Sequence, residues 1–320
     1  MDISNELAVG IDIGGTNTKY GIVNHRGEIL YKGEIRTDAY EDAVSFTDAL
    51  YREVDPILMN LDKTNIQGIG IGAPNGNFYT GTIEYAPNLK WKGIVPLADM
   101  MAEKFQLPAA LTNDANAAAV GEMTYGAARG MKDFILITLG TGVGSGIVAN
   151  GQLILGHDGF AGELGHVIVI PGGRLHAATG MKGSLEVYAS ATGVCRTANE
   201  LLEKYPEEKT TMRDHKSIDS KIIYECAIEG DRMAKKVYNL TGKILGKALA
   251  NFVMFSSPEA IILFGGLTKA GDLIMNPARK HMEKNLLPIF QNKVKLIFSE
   301  LKESDAAILG ASALVWELKK

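Results

Sequence analysis

The sequence predicts an α/β protein built from two similar domains with a cleft between them. A chain of 320 residues is longer than one hydrophobic core usually supports, so about two domains are expected. Residues 7–126 alternate strand-like and helix-like patterns in the order βββαβαβα, which is typical of α/β domains. The opening pattern then returns over residues 134–156, and an internal repeat of this kind indicates a duplication.

The first element is a strand that is interrupted almost as soon as it begins. The stretch VGIDIGGTNTKYGIV, residues 9–23, breaks at Gly14-Gly15-Thr16 and resumes at once. Glycine accepts backbone angles that side chains disfavour, so one interpretation is simply a tight hairpin. The other is a hairpin whose bare backbone lies against a ligand, although its spacing matches neither the dinucleotide motif nor the P-loop. This segment alone leaves both open.

The rest of the first half consists of alternating helices and strands. A third strand-like segment ends near residue 37, and the following segments are distinguished by apolar spacing and isoleucine content. They predict a helix over 41–61, a strand over 66–72, a helix over 96–105, a strand over 108–112 and a helix over 114–126.

The second half begins with a copy of the first hairpin. Residues 134–156 read FILITLGTGVGSGIVANGQLILG, a strand, a glycine turn and another strand. Gly140-Thr141 corresponds to the first glycine turn, and Gly146-Ile147-Val148 corresponds to Gly21-Ile22-Val23 with one residue of slippage. Two such hairpins facing one cleft could hold a polyphosphate through backbone N–H groups. Chance similarity between two hairpins is the alternative.

The C-terminal third contains a motif that only superficially resembles a nucleotide loop. A long helix over 232–255 carries Gly242-Lys243 and Gly246-Lys247, but the P-loop spacing is one residue short and Ala248 stands where Ser or Thr is required. We interpret these glycines as helix-packing positions. Residues 259–273 form a strand, a turn at Gly265-Gly266 and a helix, which suits a nucleotide near the turn. A closing helix follows over 306–320.

Composition excludes several functional classes. The net charge of −4 argues against a general affinity for nucleic acid. No apolar run reaches the roughly 20 residues that span a bilayer. The two cysteines form no disulfide framework, and the N-terminal MDISNEL lacks a signal-peptide core. We therefore expect a cytoplasmic protein with no nucleic-acid or membrane partner.

Five motifs in a fixed order resemble the ROK family of sugar kinases and sugar-responsive repressors. The motifs are DIGGTNTKYGIV, NDANAAAVGE, LGTGVGSGIV, GELGHVIV and GSLE, and the resemblance runs from about Val9 to Ala313. It implies a ribonuclease-H-like fold of the actin and hexokinase type, a smaller domain of 1–116 plus about 305–320, a larger domain of 117–304, and a homodimer. Bacterial glucokinases, which phosphorylate the 6-hydroxyl of glucose with ATP and Mg²⁺, are the branch that the motifs resemble.

The resemblance gives two aspartates their chemical roles. Asp114 is expected to be the general base that orients the sugar hydroxyl and takes its proton. Asp12 is expected to bind Mg²⁺ through water, which suits a hard cation. Local structure offers an alternative for each residue, because Asp12 could form an Asx turn and Asp114 could cap the helix that it precedes.

By the same resemblance, the glycine turns and their neighbours bind ATP. Most of these residues would contact phosphate oxygens, and Gly265 and Gly266 would border the adenosine. The expected set is Gly14, Gly15, Thr16, Asn17, Lys19, Gly140, Thr141, Gly142, Gly144, Gly265 and Gly266.

A further polar set is expected to bind the sugar. Carboxylate, amide and imidazole groups are good partners for vicinal hydroxyls, and they reject analogues that leave them unpaired. A metal site is not expected at Glu163 and His166, because the pair lacks helical periodicity. The expected set is Gly76, Asn88, Asn113, Asp114, Glu163, His166 and Glu186.

The chain departs from the family pattern at the zinc site. The family carries three cysteines after the Glu-x-x-His motif, and these bind structural zinc together with the histidine. Ala177, Thr179 and Ser184 occupy the three positions here. Neither alanine nor neutral hydroxyls replace thiolate ligands, so we expect no structural zinc.

The sequence thus predicts an ATP-dependent hexose kinase, with glucose as the first candidate substrate. A kinase for mannose, fructose or N-acetylmannosamine is one alternative, and a non-catalytic sugar-binding regulator is another. The repressor branch normally carries a helix-turn-helix domain ahead of the first hairpin. Because that hairpin begins near residue 9, no such domain is expected.

Overall fold

The fold is described from a computed structural model that covers residues 6–317. Residues 1–5, most of the MDISNEL segment used above to predict the location, lie outside the described residues. So do the last three residues of the predicted closing helix. The strands are β1 Leu7–Ile13, β2 Asn17–Asn24, β3 Ile29–Arg36, β4 Ile66–Ala73, β5 Gly76–Asn77, β6 Thr82–Glu84, β7 Ile94–Val95, β8 Ala109–Asn113, β9 Phe134–Leu139, β10 Val143–Ala149, β11 Gln152–Leu153, β12 Ala260–Phe264 and β13 Lys295–Phe298. The helices are α1 Ala43–Leu58, α2 Leu97–Phe105, α3 Asp114–Tyr125, α4 Glu186–Ala189, α5 Ala191–Lys204, α6 Ser220–Ile228, α7 Arg232–Ser256, α8 Asp272–Lys284 and α9 Glu303–Glu317.

Two five-stranded sheets repeat one topology. The first has the order β3-β2-β1-β4-β8 and the second has the order β11-β10-β9-β12-β13. In each sheet the first strand pairs antiparallel with the second and parallel with the fourth. Each sheet also contributes to its own large apolar core. The duplication predicted from the repeat is therefore confirmed in the strand order.

The turns of the two hairpins differ in length by one residue, as the one-residue slippage between the two sequence segments predicts. Ile13 pairs with Thr18 across the first turn, whereas Leu139 pairs with Val143 across the second. Four residues therefore form the first turn and three form the second. Each turn is closed from its first residue, because the Gly14 amide donates to the Asn17 carbonyl at 2.9 Å and the Gly140 amide donates to the Gly142 carbonyl at 3.0 Å.

One predicted loop contains a small sheet. Between β4 and α2 the chain forms three short antiparallel strands in the order β5-β6-β7. These strands are only two or three residues long. Segments this short cannot display a two-residue hydrophobic alternation, so the sequence predicted no strand between the strand over 66–72 and the helix over 96–105.

Helix α9 packs closely on the first sheet, because glycine removes the side chains that would separate them. A Cβ added at Gly10 would clash with the Ile308 carbonyl, and one added at Gly70 would clash with the Ala311 carbonyl. Helix α9 also packs along α3. The domain boundaries at 116 and about 305 remain a prediction, and the packing of α9 beside β1 and β4 is compatible with them.

The glycines in the P-loop-like stretch serve helix packing, as expected. A Cβ at Gly242 would lie 2.6 Å from Pro277, and one at Gly246 would clash with the Ala278 carbonyl. Both contacts join α7 to α8. Among the helices of residues 6–317, none combines the length and the apolar character needed to cross a membrane.

We predict that Gly70→Ala destabilises the protein through the contact between β4 and α9. The added methyl group meets backbone that cannot move aside easily, and overpacking of this kind costs about 1–3 kcal/mol of unfolding free energy. Urea denaturation measures the change. Gly266→Ala is the matched control, because its Cβ would meet Glu303 only at 3.8 Å. Equal stabilities of the two variants would contradict this account of the packing.

Candidate active site

The candidate site is built around the first turn of α3. Asn113 caps this helix, because its Oδ1 accepts the Asn116 amide at 2.6 Å. Asp114 is the first helical residue, and its Oδ1 accepts the adjacent Ala115 amide at 2.8 Å. The interpretation of Asp114 as the helix cap was therefore wrong. The neighbouring asparagine takes that role and leaves the second carboxylate oxygen of Asp114 without a capping partner.

Asp12 and Asp114 lie at the same edge of the first sheet. A Cβ at Gly72 would lie 3.6 Å from Asp12 Oδ1 and 3.8 Å from the Asp114 Cα. Burial and then the negative charge of Asp114 raise the pKa of Asp12 to about 6, against a smaller opposing effect of Lys19. Lys19 is the strand partner of Asp12 on β2. This edge therefore concentrates two carboxylates with one lysine beside them.

Asp114 keeps an exposed surface, yet its carboxyl is largely enclosed by neighbouring protein. Loss of hydration raises the pKa of its carboxyl, and hydrogen bonds from the backbone amides of Ala115 and Asp114 itself lower it by less. A carboxylate in such a recess retains access to a ligand. It is also a stronger base than an ordinary surface aspartate.

Glu163, from the second half of the chain, lies close enough to Asp114 for their charges to interact, and His166 lies beside Glu163. Burial is the largest effect on Glu163 and raises its pKa, whereas nearby His166 lowers it. The charges of Asp114 and Glu186 raise the pKa of Glu163 further. His166 Nε2 lies 3.9 Å from Glu163 Oε2. The structure thus brings four of the predicted sugar-binding residues into one acidic cluster.

Glu186 is fixed at the start of α4 by groups on either side. Its Oε2 accepts the Val143 amide at 2.7 Å, and its Oε1 lies 2.5 Å from His176 Nε2. Glycine at position 142 leaves room for this carboxylate, because a Cβ there would meet it and force it to shift. The second hairpin therefore contacts the predicted sugar-binding residue directly.

The loop that precedes Glu186 is anchored by the side chain of one of its own residues, Arg174. The Arg174 guanidinium forms an ion pair with Glu200 at 2.6 Å, and it stacks 4.6 Å from the centre of the Tyr188 ring. It also donates to the backbone carbonyls of Val187 and Gly193. Only 9% of the Arg174 side chain is exposed, so this anchor lies inside the protein.

The three positions that carry cysteine in the family have different environments. Thr179 Oγ1 accepts the Met181 amide at 3.3 Å, whereas Ser184 Oγ is buried without a hydrogen-bond partner. His166 Nδ1 is also buried and unpartnered. Within residues 6–317 no three His, Cys, Asp or Glu side chains are grouped so that they could hold a metal ion. The donor set present therefore does not fit a structural zinc.

The two glycine turns offer backbone amides for an anion. Within the part of the chain that the structure describes, the amides of Gly15, Thr16, Thr141 and Gly142 donate to no protein acceptor. Unpaired amides at a turn form a concave site suited to phosphate oxygens. The turns expose them, since Thr16 and Thr141 lie at the surface.

The glycines themselves are only partly explained by ligand access. A Cβ at Gly14 would lie 2.8 Å from the Asn17 carbonyl, and one at Gly15 would lie 2.8 Å from the Asn88 carbonyl. These two are therefore required by contacts inside the protein. Gly140 has open space where its Cβ would point. Of the four turn glycines, it is the one whose small size the neighbouring protein does not explain.

A cavity of about 620 Å³ adjoins the second turn. It reaches from Gly140 and Thr141 to Gly266, so the structure brings together three of the residues predicted to bind ATP. Gly265 adopts a positive φ of 102° and packs against the end of β9 at Leu139, which places the β12 turn beside the hairpin. The cavity also contains groups that the sequence reasoning missed, among them Lys221, Tyr224 and Tyr238.

The remaining predicted residues lie near the site but have other partners. Gly76 lies against the Thr112 carbonyl, next to Asn113, and Asn17 begins β2 at the exposed end of the first turn. Asn88 lies against the first turn at Gly15. The Gly144 amide already donates to Thr138 Oγ1 at 3.0 Å. For these four residues, ligand binding stays a prediction.

Comparison with known proteins supplies an independent finding. The profile of the ROK family matches residues 8–317. A glucokinase from Halalkalibacterium halodurans is 38% identical over 318 residues, which cover 98% of this chain and 96% of that protein. A xylose repressor from Caldicellulosiruptor bescii is 30% identical, covering 96% of this chain and 77% of the repressor.

A solved structure extends this similarity to three dimensions. It is a ROK family glucokinase from Streptomyces griseus, crystallised in complex with glucose and AMPPNP. The TM-score is 0.79 at 32% identity, and the match covers 97% of this chain and 99% of that chain. The predicted ribonuclease-H-like fold of the actin and hexokinase type is thereby confirmed.

We predict that in the metal-free protein Asp12 titrates near pH 6. A raised pKa means that the carboxyl keeps its proton to higher pH, so its negative charge develops between about pH 5 and 7. Asp114→Asn removes the like charge and lowers the Asp12 midpoint, while the effect of burial remains. Carbon-13 NMR of labelled aspartate carboxyls measures both values. Asp99→Asn, on the exposed side of α2, is the control, and an unchanged midpoint in Asp114→Asn would refute the coupling.

Proposed function

Because the chain belongs to the ROK family, we propose that it is an ATP-dependent hexose kinase that phosphorylates the 6-hydroxyl of glucose. The observation that carries the proposal is the position of Asp114. Its Cα and Asp12 Oδ1 both lie within 4 Å of the Cβ position of Gly72, its charge raises the pKa of Asp12 and of Glu163 from the second half, and burial raises its own pKa. The glucokinases described above are the relatives that support this assignment.

Asp114 is proposed to act as the general base. A sugar hydroxyl is a weak nucleophile, and a carboxylate within hydrogen-bond reach orients it and accepts its proton. As the bond from the sugar oxygen to the γ-phosphorus forms, the bond to the β,γ-bridging oxygen breaks and ADP leaves. The proton ends on Asp114 and passes to solvent. The raised pKa of Asp114 favours this transfer.

The two hairpins are proposed to hold the polyphosphate. The free amides of Gly15, Thr16, Thr141 and Gly142 supply backbone donors, and Lys19 beside the first turn supplies a positive charge. The 620 Å³ cavity beyond Thr141 is large enough for the nucleoside. Positioning and charge neutralisation account for most of the catalysis in phosphoryl transfer, so this placement matters more than any covalent step.

Mg²⁺ is proposed to be held by Asp12 through water. Its carboxylate borders the first turn, and burial, followed by the negative charge of Asp114, raises its pKa, so a cation would offset the unfavourable charge. Oxygen donors suit a hard cation. When bound with ATP, Mg²⁺ supplies neutralisation of phosphate charge. The chain's own contribution is to keep Asp12 fixed at the end of β1.

The acidic cluster is proposed to select the sugar. Glu163, His166 and Glu186 offer acceptors and one imidazole, and Asn113 has an amide nitrogen left over from its capping role. Each of these groups would remain unpaired beside an analogue that lacks its hydroxyl. We propose glucose as the substrate because the glucokinases share the family and the chain length. Mannose, fructose and N-acetylmannosamine are the alternative substrates.

A sugar-binding regulator is the second candidate function. The observation that favours it is the similarity to xylose repressors, which share the same region of sequence. The presence of Asp114 beside two amide-bearing hairpins supports the kinase instead. A homodimer, a cytoplasmic location and the absence of nucleic-acid binding remain predictions. Measurement of ATP turnover with and without sugar separates the two functions.

We predict glucose-dependent release of ADP that requires Mg²⁺. A coupled assay over about a dozen hexoses and amino sugars measures the rates, with ATP alone and chelated buffer as controls. The highest kcat/KM is expected for glucose. A protein that binds sugar but turns over none of the panel would be a regulator, and a higher kcat/KM for another hexose would reassign the substrate.

We predict that Asp114→Asn lowers kcat by at least ~10²–10⁴-fold, the usual contribution of a general base, while glucose still binds. The substitution keeps the shape of the side chain and removes the proton acceptor. Asp99→Asn, an exposed aspartate in the first turn of α2, should leave kcat unchanged. A rate for Asp114→Asn within about threefold of the unmodified enzyme would remove Asp114 from the mechanism.

A further inference from the structure

His176 belongs to no predicted site, yet it contacts two residues of the acidic cluster, Glu186 and His166. It lies on the loop before α4, where its backbone amide donates to the Met181 carbonyl at 2.8 Å and its carbonyl accepts the Gly180 amide at 2.9 Å. The side chains of His176 and Glu186 are only 16% and 18% exposed. The hydrogen bond between them is therefore largely shielded from water.

The hydrogen bonds around the ring identify its tautomer. The Thr179 amide donates to His176 Nδ1 at 3.2 Å, so this nitrogen is an acceptor. In a neutral imidazole the other nitrogen then carries the proton. His176 Nε2 consequently donates to Glu186 Oε1 at 2.5 Å. The loop backbone fixes which nitrogen points a proton at the carboxylate.

This donor completes the support of Glu186. The Val143 amide holds one carboxylate oxygen and His176 holds the other, so the group cannot rotate without losing a hydrogen bond. The His176 ring also meets the His166 ring edge to face, with centres 5.6 Å apart. His176 thereby touches two residues of the predicted sugar site, and Arg174 holds the loop that carries it.

We propose that His176 is a positioning residue that orients Glu186 for sugar binding. The inference rests on the proposed function in that it takes Glu186 as a sugar ligand. The hydrogen bond from His176 to Glu186, rather than the size of the His176 ring, orients the carboxylate. The loop carries no metal-ligating set in the described residues, and this neutral donor supplies the orientation from within the chain.

Three substitutions separate the hydrogen bond from packing. His176→Ala removes the ring and the donor, His176→Phe keeps a ring without a donor, and His176→Gln keeps a donor of similar reach. We expect the glucose Kd, measured by calorimetry, to rise roughly tenfold in the alanine and phenylalanine variants and to be largely restored by glutamine. The glucose KM follows the Kd, whereas kcat and the ATP KM stay within about threefold, since Asp114 and the hairpins are untouched.

Deoxyglucose analogues locate the effect. The unmodified enzyme should lose affinity for the analogue that lacks the hydroxyl bound by Glu186, and His176→Ala should cause little further loss with that analogue. Lys182→Ala, on the exposed part of the same loop, and His215→Ala, an exposed histidine elsewhere, are controls expected to bind glucose normally. Thermal unfolding verifies that each variant is folded.

The outcomes distinguish this inference from the proposed function. If sugar binds without turnover, the kinase proposal fails while the Kd series still tests His176. Restoration by phenylalanine, an unchanged Kd in His176→Ala, or an equal loss for every deoxy analogue would each overturn the positioning role. A protein that binds no hexose would overturn both proposals.

Discussion

The close packing of α3 between the two sheets is the constraint on which the candidate site depends. A Cβ at Gly146 of β10 would lie 2.6 Å from Ala119, and one at Gly121 of α3 would lie 2.8 Å from the Cα of Gly310 in α9. Only glycine and alanine allow such approach, which explains the alanine-rich sequence of this helix. Because α3 is held this tightly, its first residue, Asp114, is placed between groups from both halves of the chain.

The glycine turns show how packing and binding can require the same residue. A Cβ at Gly15 would lie 2.8 Å from the Asn88 carbonyl, and one at Gly142 would meet the Glu186 carboxylate, so contacts within the protein favour glycine at both. At Gly142, the same contact brings a predicted sugar ligand against the phosphate turn. A substitution there would disturb two proposed binding sites at once. A sequence pattern that resembles a ligand motif can thus also record contacts within the fold.

Much of the architecture could be predicted from the sequence, because the signals were long or repeated. The repeat in the sequence predicted the second hairpin, including the one-residue difference in turn length between the two hairpins. Helix α7 has enough turns for its apolar period to be clear. The strands β5 to β7 were missed because two or three residues show no period. At the start of α3, two adjacent residues were both good caps, and only the three-dimensional position of the Asn116 amide decided for Asn113.

The least predictable part of the site was the set of hydrogen bonds that holds Glu186 in place. Glu186 is identified by a motif, but its partners His176 and Val143 come from a loop and a hairpin 10 and 43 residues away. Nothing in the spacing of a lone histidine announces such a hydrogen bond. Ala177, Thr179 and Ser184 stand where the family carries cysteine, so a loop without structural zinc must be ordered by other groups. Arg174 supplies that order with one buried guanidinium and several acceptors, because a fork of donors can join several segments without a metal. The orientation of Glu186, a proposed sugar-binding residue, therefore depends on side chains for which no contact with sugar is proposed.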